Sequence, residues 1–126
     1  MQQHATQAYQ TVAKRTGNPR DLEANLLSKS ATNMQRIRED WSLAETELAG
    51  VLKFNRKLWN VFLNSATREE NPLPAAIRQN IANLGLFVLN HTIKLEARPE
   101  AERLDVLINI NREVAAGLRS GAISAE

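Results

Sequence analysis

Residues 71–99 read NPLPAAIRQNIANLGLFVLNHTIKLEARP, a long run of helix formers held between prolines. The residue ahead of a proline is pushed out of helical geometry, so Asn71 to Pro74 form a stiff turn and Arg98-Pro99 a stop. Between them Ile77, Ile81, Leu84, Val88 and Leu95 make one apolar stripe, and Leu86, Phe87, Leu89 and Ile93 occupy other sides. A helix apolar on nearly every side is expected at the centre of its bundle.

Working outward, the same punctuation divides the chain into five helices. On the N-terminal side, Ser42 followed three residues later by Glu45 is a capping-box pattern, so a third helix is expected to begin near Ser42 and to end near Thr67. Its positions Leu48, Val51, Leu52, Leu58, Trp59, Phe62 and Ala66 advance by threes and fours, and Phe54 and Val61 widen the apolar face. Gly17 and Asn18 precede Pro19, with Asp21 and Glu23 suited to the positive end of a helix dipole, and there a second helix begins. Its stripe is Leu22, Leu26, Leu27, Met34 and Ile37, thinned by small residues between Leu27 and Met34. Met1 to Lys14 is polar apart from Ala5, Ala8, Tyr9, Val12 and Ala13, so a first helix there buries little, and residues 1–17 are expected to be a mobile start. On the C-terminal side, Glu100 and Glu102 open a fifth helix carrying Leu104, Leu107, Ile108, Val114 and Leu118, with Gly117 and Gly121 as candidate stops and a disordered tail from 118 to 126. Ile108 to Asn111 alternate as a strand does, yet the flanking apolar spacing is helical. The expectation is one all-α domain over 1–126, a compact bundle of about four main helices with a short N-terminal helix.

Composition agrees: 33 of the 126 residues are Leu or Ala, and only nine are Gly or Pro. Cysteine is absent, which excludes disulfides, a thiol nucleophile and thiolate metal sites, and suits a reducing compartment. Sixteen Lys and Arg against fourteen Asp and Glu leave +2, spread along the chain rather than clustered. Residues 1–10 carry no secretory pattern, and the longest uncharged run, Gln79 to Ile93, is too short and polar to span a bilayer. A cytoplasmic protein without membrane insertion is expected.

Polar residues intrude on the apolar stripes. Phe54-Asn55-Arg56 is echoed by Ile110-Asn111-Arg112, and each Asn falls on its helix's apolar face, as His91 does between Val88 and Leu95. An unpaired buried amide costs about 1–3 kcal/mol, so these three side chains either form an internal network or border a surface that a partner covers. His91 lacks a nucleophile and an orienting carboxylate, no His, Asp or Glu pair is joined to a third ligand, and no Gly-rich loop cradles phosphate. No catalytic residue, metal or cofactor is expected. Lys53, Arg56 and Lys57 beside Phe54 and Trp59 suggest nucleic acid only weakly, because Trp59 and Phe62 read as core.

Apolar residues outnumber the inward positions. Phe54, Val61, Leu63, Leu86, Phe87, Leu89, Val106 and Ile110 do not all fit inside together with the main stripes, so some line a groove for a partner helix or, alternatively, a homodimer contact.

From about Ala8 to Leu118 the sequence resembles the FlaF family of flagellar biosynthesis regulators. The resemblance is carried by Ala8-Tyr9-Gln10-Thr11, Asn18-Pro19-Arg20-Asp21-Leu22-Glu23 with Leu26-Leu27, and Asn55-Arg56-Lys57-Leu58-Trp59. It continues through Leu73-Pro74, Leu86-Phe87-Val88 with His91-Thr92, and Leu107 to Arg112 with Gly117-Leu118. It implies a non-enzymatic cytoplasmic helper that binds newly made flagellin and supports its export alongside the flagellin regulator FlbT and the export apparatus. The alternative is a translational regulator contacting flagellin mRNA directly or through FlbT. Together with the apolar surplus, it gives Phe54, Arg56, Trp59, Leu86, Phe87, His91, Asn111 and Arg112 as candidate partner contacts.

Overall fold

The first helix of the computed structural model, which describes residues 19–120, opens at Pro19, and four helices follow one another without a strand among the described residues. They are α1 (Pro19–Glu39), α2 (Ala44–Ala66), α3 (Ala75–Ala97) and α4 (Leu104–Ser120), with single 3₁₀ turns at Trp41–Leu43 and Ala101–Arg103. The expected short helix over Met1 to Lys14, the mobile start over 1–17 and the stop at Gly121 lie outside the described residues. Residues 118–120, expected in the tail, are helical, and α4 passes through Gly117 without stopping.

Local chemistry sets the boundaries. Asp21 stands in the first turn of α1 and Arg36 and Arg38 in its last, each complementing the helix dipole. The expected capping box at Ser42 and Glu45 is not formed. Instead, the Asp40 carboxylate accepts from the Ser42 amide at 3.3 Å and from the Ser42 hydroxyl at 2.6 Å, capping the 3₁₀ turn, and α2 starts at Ala44. Asp40 can do this because its backbone leaves helical geometry two residues earlier than the Ser-x-x-Glu pattern requires. The turn after α2 is stiffened by Asn71, whose amide donates to the Ser65 carbonyl at 3.0 Å while its oxygen accepts from the Leu73 amide at 2.9 Å. Arg78 reaches back to the Leu73 and Arg68 carbonyls, so buried Leu73 is held as a peg under the bundle.

Neighbours run antiparallel to α1 on both sides. Arg36 pairs with Glu47 at the α1–α2 corner, Arg38 with Asp105 at 2.9 Å where α1 ends beside the start of α4, and Arg119 with Asn25 at 3.0 Å at the opposite end. Such exposed pairs mark register and add little stability. The core is carried by Leu22, Leu27, Met34 and Ile37 of α1, Leu52 and Trp59 of α2, and Leu104, Leu107 and Ile108 of α4. The thinned stretch of the α1 stripe is filled by buried Ser30 and Ala31; Ala24 of α1 and Ala115 of α4 are buried as well. Small side chains let backbones approach, and α1 packs more extensively on α4 than on any other helix. The ambiguous segment Asp105 to Asn111 is helical because Leu104, Leu107, Ile108 and Asn111 all fall on its buried face.

One expectation is reversed. The Ala75–Ala97 helix is not central: α3 packs on α2, and its backbone hardly approaches α4. Its buried residues are only Gly85, Val88, Thr92 and Leu95, while Leu86, Phe87 and Ile93 are 53%, 45% and 59% exposed. The physical reason is that its apolar residues are distributed around the helix, and one neighbouring helix covers one side.

The capping geometry gives a direct test. Asp40→Ala should lower unfolding free energy by about 1 kcal/mol in urea titration, whereas Glu45→Gln should leave it within about 0.5 kcal/mol.

Candidate partner-binding surface

Beneath the surface, the two asparagines of the sequence echo meet. Asn111 of α4 donates through Nδ2 to Asn55 Oδ1 of α2 at 2.7 Å and to the Leu27 carbonyl of α1 at 3.3 Å. Its Oδ1 accepts from Trp59 Nε1 at 2.9 Å, and the Ser30 hydroxyl donates to Asn55 Oδ1 at 2.8 Å. Asn55 Nδ2 alone is left without a partner. All four side chains are 0% exposed, so one network of hydrogen bonds locks α1, α2 and α4 together.

His91 does not join that network. It sits on α3 where Nε2 donates to the Arg103 carbonyl at 2.7 Å, which fixes the ring tautomer because a carbonyl only accepts. Phe87 stacks on it with ring centres 5.6 Å apart. The polar residue buried in its place is Thr92, whose hydroxyl donates to its own helix at Val88.

The structure therefore sorts the candidate contacts. Trp59 and Asn111, expected at a partner surface, are fully buried and belong to the core; Trp59 also meets Phe62 edge-on at 5.5 Å. This corrects their place among the contacts, and it removes Trp59 as a stacking platform for bases. Phe54, Arg56 and His91 are half-buried, and Arg56 is engaged by Glu96 at 3.0 and 3.1 Å. Leu86, Phe87 and Arg112 are exposed. Of the eight apolar residues judged surplus, Val61, Leu86 and Phe87 are exposed, the other five half-buried, and none is fully buried.

What brings several of these together is the open seam between α3 and α4. Ile81 of α3 and Val114 of α4 line one groove, and His91 meets Arg103 at the other end of the same seam, so the two helices run antiparallel. Half-buried Ile81 and Leu84 on α3 and Val106, Ile110 and Val114 on α4 pack against the core, while Phe87 is exposed. The groove deepens where the ends of all four helices converge, into a small hollow of about 30 Å³ lined by Trp59, Phe62, Ala66, Leu73 and Leu118. Sequence reasoning missed Ile81, Val114 and Leu118 as lining residues, because their spacing is that of any core stripe. Ile93 was likewise passed over, although its 59% exposure exceeds that of Leu86.

At the groove's rim, burial pushes the Glu23 carboxyl above its ordinary value, opposed by the Arg20 guanidinium 3.2 Å away. Among the described residues no group of three His, Asp or Glu side chains is placed to hold a metal ion, and no helix is long and apolar enough to cross a membrane.

The model of the flagellar protein FlaF matches residues 5–118, nearly the whole chain. This chain belongs to the FlaF family. Neither a curated protein nor a solved structure matches it. Both the buried network and the groove lie inside the FlaF match, so the protein is a flagellar protein, and its described residues form a helical bundle.

Two measurements test this arrangement. Asn111→Leu strands the buried Trp59 N–H and removes the contacts to Asn55 and the Leu27 carbonyl, and should cost about 2–3 kcal/mol in urea unfolding, whereas Arg56→Ala, which breaks an exposed pair, should cost under about 0.5 kcal/mol. Glu23 binds its proton more tightly when folded, so its contribution to stability is greatest in acid and is lost as pH rises through the folded value. Unfolding titrations of wild type and Glu23→Gln should show the variant gaining stability relative to wild type between about pH 4 and pH 7. A constant difference would remove Glu23 burial as the cause.

Proposed function

We propose that this protein is a flagellin-binding helper of flagellum assembly, acting in the cytoplasm, where it covers newly made flagellin, supports its export and couples flagellin supply to its synthesis, with FlbT and the export apparatus as further partners. The observation that carries this reading is the set of large apolar side chains left exposed on α3, Leu86, Phe87 and Ile93, on the helix whose Ile81 lines a groove together with Val114 and Leu118. A contiguous apolar surface on a soluble chain marks a binding site, and two antiparallel helices separated by a groove accept a third helix most naturally. Membership in a flagellar family directs attention to flagellin as that helix's source. Flagellin's terminal segments assemble only in the filament, so before export they are amphipathic chain that self-associates unless covered. Ordering such a segment on binding offsets part of the contact energy, which leaves a complex able to release its cargo.

Co-expression with flagellin followed by size-exclusion chromatography should give a stoichiometric complex that persists over a range of salt. Phe87→Asp should weaken it at least about tenfold while changing unfolding free energy by less than about 1 kcal/mol. Val61→Asp, an equally exposed site on the side of α2 away from Trp59, should leave the complex intact. Equal losses of binding and folding in Phe87→Asp would make Phe87 a core residue. Absence of co-elution at every salt concentration would end the flagellin reading, and a salt-sensitive shift of flagellin message by the purified protein would favour direct contact with RNA.

A further inference from the structure

The apolar residues of α3 fall on two separate flanks. Gly85, Val88, Thr92 and Leu95 are buried and mark its inward side. Leu84, Phe87 and His91 each stand one residue before a buried one, and His91 meets Arg103 ahead of α4, so they lie on the flank toward α4. Leu86, Leu89 and Ile93 each stand one residue after a buried one, as does Glu96, which pairs with Arg56, so they lie on the flank toward α2. Exposed Asn83, Asn90 and Lys94 run between the two flanks on the outer side. On α2, Lys53, Arg56, Asn60 and Leu63 each follow a buried residue. Arg56 reaches Glu96 at 3.0 Å, and a Cβ added at Gly85 would lie 3.6 Å from Leu63, so exposed Lys53 and Asn60 share the flank that faces α3. Lys57, one turn on from Lys53, borders that flank on the outside. Between those two contacts the antiparallel helices bring Lys57 level with Ile93.

The α2–α3 face therefore has an apolar column beside a basic edge. Ala82, Leu86, Leu89 and Ile93 advance by four, three and four residues, the spacing of a helix-on-helix seam, and rise about 16 Å, or three turns of a partner helix. Leu86 and Ile93 are more exposed than Phe87. From Leu48 to Ala66, α2 holds no Asp or Glu, and the one acid of α3, Glu96, is engaged by Arg56. Neither Lys53 nor Lys57 has an acidic partner among the described residues. We infer that this face is a second docking surface, whose occupant is an amphipathic helix of a partner protein with aliphatic side chains along one stripe and acidic residues beside it. The stripe covers the α3 column, and the acids meet Lys53 and Lys57. A second copy of this chain lacks that match, since its own column is bordered by the same lysines and its Glu96 is already paired. The inference rests on reading α3 as the partner-binding helix, and it divides the exposed residues of that helix between two sites.

The test uses the full-length chain and two synthetic helical peptides of about 18 residues, both with Leu at the seam positions, one flanked by Glu and the other by Lys. Binding is followed by fluorescence anisotropy. At low salt the Glu peptide should bind at least about tenfold more tightly than the Lys peptide, and added salt should narrow the gap. Lys53→Glu combined with Lys57→Glu should reverse the preference, whereas Lys29→Glu, the same charge change on exposed α1, should keep it. Ile93→Asp, checked for unchanged urea unfolding, should weaken the Glu peptide at least about tenfold. Equal affinity for the two peptides, or an unreversed preference in the charge-swapped protein, would overturn the acidic occupant. Full binding by folded Ile93→Asp would overturn the face itself, and a dimer in sedimentation equilibrium that Ile93→Asp dissolves would assign it to a second copy instead. Reversed peptide preference without a flagellin complex would leave this face standing and sink the flagellin reading; a flagellin complex without peptide preference would do the opposite.

Discussion

An amide side chain inside an apolar core must find its hydrogen bonds there, and in this bundle that requirement falls on Asn111. Its three contacts reach α1 through the Leu27 carbonyl and α2 through both Asn55 and Trp59. A slide of α2 or α4 by one turn would strand the buried Trp59 N–H, and a slide of α1 would break the Leu27 and Ser30 contacts, at a cost of about 1–3 kcal/mol per group left unpaired. Apolar surfaces alone permit such slides, because one Leu packs much as another does. The network therefore selects a single register, and α1 and α4, with small Ala24, Ala31 and Ala115 buried, pack extensively in it. Asn55 Nδ2 is left unsatisfied because Asn55 Oδ1 takes two donors on its other side, Ser30 and Asn111.

Helix α3 contributes nothing to that network, and this division shapes the rest of the molecule. It is joined to α2 by close packing at Gly85, where an added Cβ would lie 3.6 Å from Leu63, and to the start of α4 by the single His91 to Arg103 bond. Exposed Leu86, Phe87 and Ile93 thus lie on the one helix that can shift without breaking a buried polar contact. A binding surface placed on α3 is mechanically separate from the three helices that hold the fold.

Helix existence and limits were legible in the sequence wherever prolines and dipole-matched charges stood: Pro19, Pro74 and Arg98-Pro99 each mark a boundary that the structure keeps within a residue or two. The Asn55 and Asn111 echo was legible too, since a polar residue on an apolar stripe demands a partner, and the two became each other's. The centrality of the Pro74–Pro99 helix was not. A helical wheel counts apolar sides but does not say how many neighbours cover them, and the small residues of α1, which look like a gap in its stripe, secure the central place instead. His91 satisfied the same stripe rule as the asparagines yet found a carbonyl beyond its helix end. Val114 and Leu118 line the groove with the same spacing that Leu104 and Leu107 use to fill the core, so no one-dimensional pattern separates them.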